Sequence, residues 1–198
     1  MNHLPNYSNM EIIETELKGV VIIEPRVFKD NRGYFFESFS QKEFEEKVMP
    51  IHFVQDNESL STYGVMRGLH YQKMPYTQSK LVRCTQGRIL DVAVDIRKGS
   101  PTFGKHIAVE LTEENHRQLF IPRGFAHGFA VLSEKAILQY KCDNFYVPQA
   151  EAGIQLRDET LGIDWKIPTT EAILSEKDMK YPFLKDMILD FDINDKFY

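Results

Sequence analysis

Apolar and polar residues alternate with a period of two over several short stretches of this chain. Leu90, Val92, Val94 and Ile96 interleave with Ile89, Asp91, Ala93 and Asp95, and Ile107, Val109 and Leu111 repeat the pattern. Such alternation marks a β-strand, whose successive side chains point to opposite faces. Further strand-like runs lie at Val20-Val21-Ile22-Ile23, ending at Pro25, at Leu81-Val82-Arg83-Cys84, around Phe129 to Val131 and from Ala136 to Tyr140. Gly87, Gly99, Pro101, Gly104, Pro122 and Gly124 punctuate them. Many short strands with regular turn signals predict an all-β sandwich or barrel. Helix signals are few. Ser40-Gln41-Lys42-Glu43 reads as a capping box that opens a short helix through about Val48, stopped by Pro50. A second short helix is expected around Glu176 to Lys185, against the opposition of Pro182. With no internal repeat, low-complexity tract or linker, the whole span 1–198 reads as one β-rich domain with a few helices at its edges.

Composition narrows the function classes only slightly. The 198 residues are 42% apolar and 27% charged, ordinary for a globular protein, and the net charge of −5 argues against a nucleic-acid partner. A small anionic ligand remains open, because a few arginines can build a local positive pocket. Cys84 and Cys142 form no CxxC pair and read as reduced strand or core cysteines. No apolar stretch reaches membrane-spanning length, and Met1 to Met10 lacks the basic-then-apolar order of a signal peptide, so the expected compartment is the cytoplasm.

The densest chemistry sits in Gly64-Val65-Met66-Arg67-Gly68-Leu69-His70-Tyr71-Gln72. Histidine moves protons near neutral pH, and arginine grips phosphate with a planar fork. Together they point to proton chemistry on a phosphorylated small molecule. An ideal strand would place Arg67 and His70 on opposite faces, so a shared pocket requires a bulge or bend at Gly68. Asp95 reads as an ordinary surface charge on the polar face of its strand, while the pattern leaves Asp91 open between surface and site. The alternating stripe Gln55, Asn57, Ser59 and Ser61 reads as a wet strand face, the alternative being a row of donors for an oxygen-rich ligand. Tyr140, Phe145 and Tyr146 read as core aromatics, with proton donation and base stacking as the functional alternatives. In Pro122-Arg123-Gly124-Phe125-Ala126-His127 the PxGxxH pattern is similar to the second motif of the cupin barrel, where the histidine can hold a metal. The first such motif normally offers a histidine pair, but here it reads His70-Tyr71-Gln72, and an amide is a poor metal ligand. His127 is therefore expected as a hydrogen-bonding pocket residue, and no metal or cofactor is expected.

Taken in order, longer blocks carry a specific resemblance. Phe28-Lys29-Asp30-Asn31-Arg32-Gly33-Tyr34-Phe35-Phe36-Glu37, Phe53-Val54-Gln55-Asp56-Asn57, Arg67-Gly68-Leu69-His70, Lys80-Leu81-Val82-Arg83-Cys84, Asp91-Val92-Ala93-Val94-Asp95-Ile96-Arg97, Ile121-Pro122 through Phe129, and Leu174-Ser175-Glu176-Lys177-Asp178 follow one another from about Val20 to Asp178. In this the chain resembles the dTDP-4-dehydrorhamnose 3,5-epimerase family, metal-free cupin jelly rolls. The resemblance implies a dTDP-sugar substrate, dTDP-4-dehydro-6-deoxy-D-glucose, inverted at C3 and C5 on the way to dTDP-L-rhamnose and polysaccharide. It implies His70 as base, Asp178 as its partner, Lys80 as stabiliser of the enolate oxygen and Tyr140 as the acid on the other ring face. It also implies Arg67 at the pyrophosphate, Gln55 and Asn57 at the nucleotide end, and His127 and Asp91 in the sugar pocket. Phe145 falls at the thymine-stacking position, often tyrosine in the family, and Tyr146 follows it. Arg32 and Glu37 would reach the nucleotide from a neighbouring subunit, since the family forms homodimers with exchanged N-terminal strands.

Three other readings compete. One is a 3- or 5-mono-epimerase acting on a related nucleotide-linked 4-keto sugar. Another is a metal-dependent cupin oxygenase, opposed by Gln72. The last is a non-catalytic sugar-nucleotide binding module, which has no need of both a base and an opposed acid.

Overall fold

The computed structural model describes residues 10–198; the segment 1–9, on which most of the signal-peptide reading falls, lies outside the described residues. In chain order the elements are β1 (Met10–Glu14), β2 (Val21–Pro25), β3 (Phe28–Asp30), β4 (Gly33–Phe35), helix α1 (Gln41–Lys47), β5 (Gln55–Thr62), β6 (Met66–Gln72), β7 (Lys80–Gln86) and β8 (Arg88–Asp95). They continue with β9 (Arg97–Lys98), β10 (His106–Thr112), β11 (Gln118–Ile121), β12 (Phe125–Val131), β13 (Lys135–Cys142), β14 (Glu151–Gly153) and β15 (Phe191–Asp192). Among the described residues these build a six-stranded sheet, β1-β2-β11-β7-β13-β5, a five-stranded sheet, β10-β8-β12-β6-β14, and two two-stranded pairs, β3-β4 and β9-β15. From β5 to β8, and again from β10 to β14, the chain passes between the two sheets, as expected of an all-β jelly roll of the cupin type. Gly87 makes one such crossing at φ +74, where a Cβ would stand 2.0 Å from the Lys135 carbonyl oxygen.

The inner faces of the two sheets enclose one apolar cluster, in which Val82, Leu119 and Leu138 of the larger sheet meet Ile89, Ala93 and Phe129 of the smaller. A second cluster covers the outer face of the smaller sheet. Leu90, Val92 and Val94 of β8 pack there against Ile154, Leu156, Leu161 and Phe191, all from the chain beyond β13. Each such side chain removed from water contributes about 1.5–3 kcal/mol. This second layer explains a misreading of β8. Its apolar face is an outer face kept dry by later chain, so its polar face turns into the barrel. Asp95 is accordingly fully buried, not a surface charge. It accepts hydrogen bonds from Arg97 (2.9 and 2.8 Å), Ser100 (2.5 Å) and Thr102 (2.6 Å). Burial pushes its carboxyl up, but those bonds together outweigh burial and hold it below the usual carboxylate value.

The stripe on β5 is also corrected. Gln55, Asn57, Ser59 and Ser61 occupy the sheltered face, while Val54 and Leu60 are 42% and 59% exposed. The alternation is inverted, polar in and apolar out, because β5 borders a polar cavity rather than the dry core. Helix α1 forms as expected: Ser40 stands in extended conformation and its hydroxyl accepts from the Glu43 N–H at 3.3 Å. Its Phe44 is buried against Phe120 on the back of the larger sheet, ring centroids 5.2 Å apart. The second expected helix is instead two separate 3₁₀ turns, Asp178–Lys180 and Leu184–Asp186, with Pro182 between them. Both cysteines are free and buried in strands.

Candidate active site

The bulge required at Gly68 is present. Along the β6–β12 pairing His70 stands opposite His127 and Arg67 opposite Phe129, so two residues of β6 face the single Gly128. Gly68 takes φ +122, and a Cβ on it would lie 2.5 Å from the Gly128 Cα. Only paired glycines let the two strands approach this closely while β6 re-aims its side chains. As a result Arg67 and His70 line one cavity, although simple alternation would have separated them.

That cavity lies between the sheets in two adjoining lobes of about 240 and 270 Å3, both lined by His70, Lys80, Tyr140 and Asn57. Gln55, Tyr146 and Glu151 belong to the first lobe, and Arg67, Ser59 and His127 to the second. His70 comes from the smaller sheet; Lys80 (β7) and Tyr140 (β13) come from the larger. An imidazole and a phenol thus project into one space from opposed walls.

Behind the imidazole, Nε2 of His70 lies 2.6 Å from Oδ1 of Asp178, which is 2% exposed. An ionised carboxylate only accepts, so the bonded nitrogen carries the hydrogen and Nδ1 keeps the lone pair that can take a proton. Asp178 is delivered by a 3₁₀ turn whose first N–H donates to the Ser175 hydroxyl at 3.1 Å. A second dyad sits deeper, with His127 Nε2 2.7 Å from Asp91 Oδ1 and Asp91 fully buried. Burial lowers the proton affinity of His127 and outweighs the facing carboxylate, which keeps the ring neutral near pH 7. The register of β8 against β12 sets this pair, Asp91 falling opposite Phe129 and Ala93 opposite His127.

Burial also acts on Lys80 and Tyr140. It lowers the pKa of Lys80, with only partial compensation from Cys142, Asp91 and Glu151, and the ammonium lies 5.8 Å from the centre of the Tyr140 ring. It pushes the Tyr140 phenol up to about 12, so this side chain holds its proton at neutral pH and can give it only to a strong base such as an enolate. The Lys80 shift has a consequence for stability. Between the folded value and the ordinary 10.5 the unfolded chain binds more protons, so stability rises with pH across that window and a penalty persists below it. Lys80→Met, which keeps the stem and removes the charge, is expected to raise Tm at pH 7 by roughly 2–4 °C per kcal/mol relieved. The gain should shrink above pH 10. Thermal melts of the two proteins check this, and a fall in Tm at pH 7 contradicts it.

Of the remaining expected positions, Arg67, Gln55, Asn57 and Tyr146 line the cavity, and Phe145, Arg32 and Glu37 lie outside it. Arg67 donates from Nε and Nη2 to the Ser61 hydroxyl at 3.3 and 3.2 Å. Gln55 donates to Asn57 Oδ1 at 3.0 Å. Tyr146 donates to a carboxylate oxygen of Glu151 and borders the first lobe, whereas Phe145 is 63% exposed and lines neither lobe. Arg32 pairs with Asp30 at 2.6 Å on the exposed β3–β4 hairpin, and Glu37 borders a separate shallow groove beside α1. Neither lines this cavity. Gln72 has a different task from metal binding. Its amide donates to the Tyr76 and Phe145 carbonyls at 2.7 and 3.1 Å and accepts from the Val147 N–H at 2.6 Å, bracing the loops at the rim.

Residue reasoning missed Glu151, Lys177 and Tyr181. Glu151 accepts from Lys177 at 2.6 Å and from the Tyr181 hydroxyl at 3.3 Å, and the Tyr181 ring stands edge-on to His70 at 5.6 Å. No local motif announces this group. It forms because β14 pairs beside β6, with Gly153 opposite His70 and Glu151 opposite Gln72.

An all-β, two-sheet protein with a dyad-held imidazole facing a buried lysine and a protonated phenol is built for acid–base chemistry on a polar small molecule. Residues 14–186 match the family model described as dTDP-4-dehydrorhamnose 3,5-epimerase, and the chain belongs to that isomerase family. It is 57% identical over 171 residues to the dTDP-4-dehydrorhamnose 3,5-epimerase of Shigella flexneri, covering 86% of this chain and 93% of the relative. Among solved structures it is similar to the dTDP-6-deoxy-D-glucose-3,5-epimerase RmlC of Legionella pneumophila in complex with dTDP-4-keto-L-rhamnose, at 46% identity and TM-score 0.90, covering 94% of this chain and 100% of that one. It also resembles ChmJ, a 3'-monoepimerase from Streptomyces bikiniensis solved with dTDP-quinovose, at 32% identity and TM-score 0.80 over 86% of each chain. Among the described residues no helix is long and apolar enough to cross a membrane.

Proposed function

We infer that this protein is a dTDP-4-dehydrorhamnose 3,5-epimerase, inverting C3 and C5 of dTDP-4-dehydro-6-deoxy-D-glucose in the route to dTDP-L-rhamnose. The observation that carries the reading is the opposition of His70 and Tyr140 across one cavity, with Lys80 beside the phenol. A hydrogen next to the C4 ketone becomes acidic only when the resulting enolate is stabilised. His70 takes that proton on Nδ1, and Asp178 steadies the imidazolium that forms. Lys80 faces the enolate oxygen with a charge that counts for more in a partly dry cavity than in water. Tyr140 returns a proton to the carbon from the other side, and the inverted centre results. His127, held by Asp91, lines the sugar end, and Arg67 takes the pyrophosphate with Gln55 and Asn57 nearby. Phe145 and Tyr146 take the thymine.

The same reading makes the functional unit a cytoplasmic homodimer. The β3–β4 hairpin keeps Tyr34 60% and Phe35 70% exposed even where the Tyr34 ring packs 4.7 Å from that of His116, which supports a role for Arg32 and Glu37 at a partner's nucleotide. The whole chain acts as one domain on a dTDP-sugar, with no cofactor and no nucleic-acid or membrane partner.

Turnover of the 4-keto sugar nucleotide in deuterium oxide tests the function. The expected product is the L-sugar carrying deuterium at both C3 and C5, read by NMR. Label and inversion at a single carbon would make the protein a mono-epimerase, and no label at either would end the epimerase reading.

A further inference from the structure

The family match stops at residue 186, yet the chain beyond it folds back onto the barrel through a specific set of contacts. Phe191 is 2% exposed, its ring 5.5 Å from that of Tyr71, and β15 runs parallel to β9. Just before it, Asp190 accepts from the Tyr71 hydroxyl at 2.8 Å. Phe197 packs on Phe191 at 5.6 Å and reaches Gly124, where a Cβ would lie 3.0 Å from its ring. The Tyr198 hydroxyl then enters the protein. It lies 2.6 Å from the hydroxyl of Ser79 and accepts from the Arg123 backbone N–H at 3.1 Å.

These contacts close a network. Ser79 N–H donates to Asp143 at 2.6 Å, Arg123 Nε donates to the other oxygen of Asp143 at 3.0 Å, and Arg123 Nη1 donates to the Phe197 carbonyl at 2.6 Å. Ser79 is fully buried and immediately precedes Lys80 at the very start of β7. Tyr71 immediately follows His70 in β6. One segment therefore grips the residue next to the base in one sheet and the residue next to the cation in the other.

We propose that residues 188–198 form a strap that positions His70 and Lys80 across the cavity, with Tyr198 acting through Ser79 and Asp190 through Tyr71. The proposal rests on the reading of His70 and Lys80 as base and enolate partner. The physical need is clear at Lys80, because a strand end frays unless tied and a reacting group displaced by about 1 Å can lose a hundredfold in rate. Tyr198 and Asp190 are positioning residues; neither lines the cavity.

Tyr198→Phe removes one hydroxyl and leaves the ring under the Arg123 guanidinium. The expected result is a fall in kcat of about tenfold with KM changed less than about twofold, the pattern of lost transition-state geometry rather than lost binding. Ser79→Ala should give a similar loss, and the double variant no more than either alone, because both cut one link. Hydrogen exchange, which needs no substrate, should quicken at the Ser79 and Lys80 amides in Tyr198→Phe. A lower Tm with unchanged kcat and unchanged exchange at these amides would make the segment a mere clamp on stability and overturn the proposal, as would fully additive losses. If the unaltered protein leaves the 4-keto sugar untouched while Tyr198→Phe still loosens Ser79 and Lys80, the epimerase reading fails and the mechanical link stands.

Discussion

Replacing His70 with alanine lowers kcat on the 4-keto sugar nucleotide by about 10³-fold while dTDP binds almost as tightly as before. The size follows from the task, since a positioned general base contributes roughly 10²–10⁴-fold. The separation of rate from binding follows from the layout. His70 lines both lobes at their junction, but the contacts proposed for the nucleotide, from Gln55, Asn57 and Tyr146, do not use its imidazole. The substitution also strips Asp178 of its 2.6 Å partner and leaves a buried carboxylate short of a donor, at a cost of about 1–3 kcal/mol. His70→Gln retains an N–H for that carboxylate, so it should be as inactive as the alanine variant but more stable. Steady-state kinetics, dTDP titration calorimetry and thermal melts read the three quantities. If dTDP binding collapsed in parallel with kcat, the imidazole would be a structural brace and the assignment of the base would have to move.

Tyr140→Phe is the second large effect, and its signature is of a different kind. Phenylalanine keeps the ring and its cation contact with Lys80 but has no proton to give. Inversion should therefore fall by about 10²-fold or more. Proton removal should continue, because His70, Asp178 and Lys80 are untouched. The enolate can then only be reprotonated by the imidazolium that produced it, on the face it left. His70 is partly exposed, so its acquired proton exchanges with solvent before it is returned.

Much of this arrangement was legible in the amino-acid order, and the parts that were not share a cause. Local signals came through: the period of two in β8 and β10, the serine that caps α1, and the need for a kink at Gly68 if Arg67 and His70 were to cooperate. What depends on covering chain was not visible. The alternation of β8 shows two unlike faces but not which one later residues keep dry, so the pattern alone puts Asp95 in solvent. The polar stripe of β5 was misassigned for the mirror reason: a strand beside a polar cavity turns its hydrophilic side inward. Partnerships across long separations were equally silent. Asp178 lies 108 residues from His70 and was nominated only through family resemblance. Glu151 and Tyr181 entered no motif, and Lys177 appears only as the neighbour of Asp178 with no role of its own, since their meeting depends on the pairing of β14 with β6 and on the turn that carries Asp178.

The central claim is that an imidazole on one wall and a phenol on the other exchange a sugar hydrogen between ring faces. The measurement that bears on it most directly is NMR of the starting sugar nucleotide recovered after incubation with Tyr140→Phe in deuterium oxide. The expected result is deuterium next to the ketone with the original configuration retained and almost no inverted product. Inverted product formed at the unaltered rate, or recovered sugar free of deuterium, would contradict it.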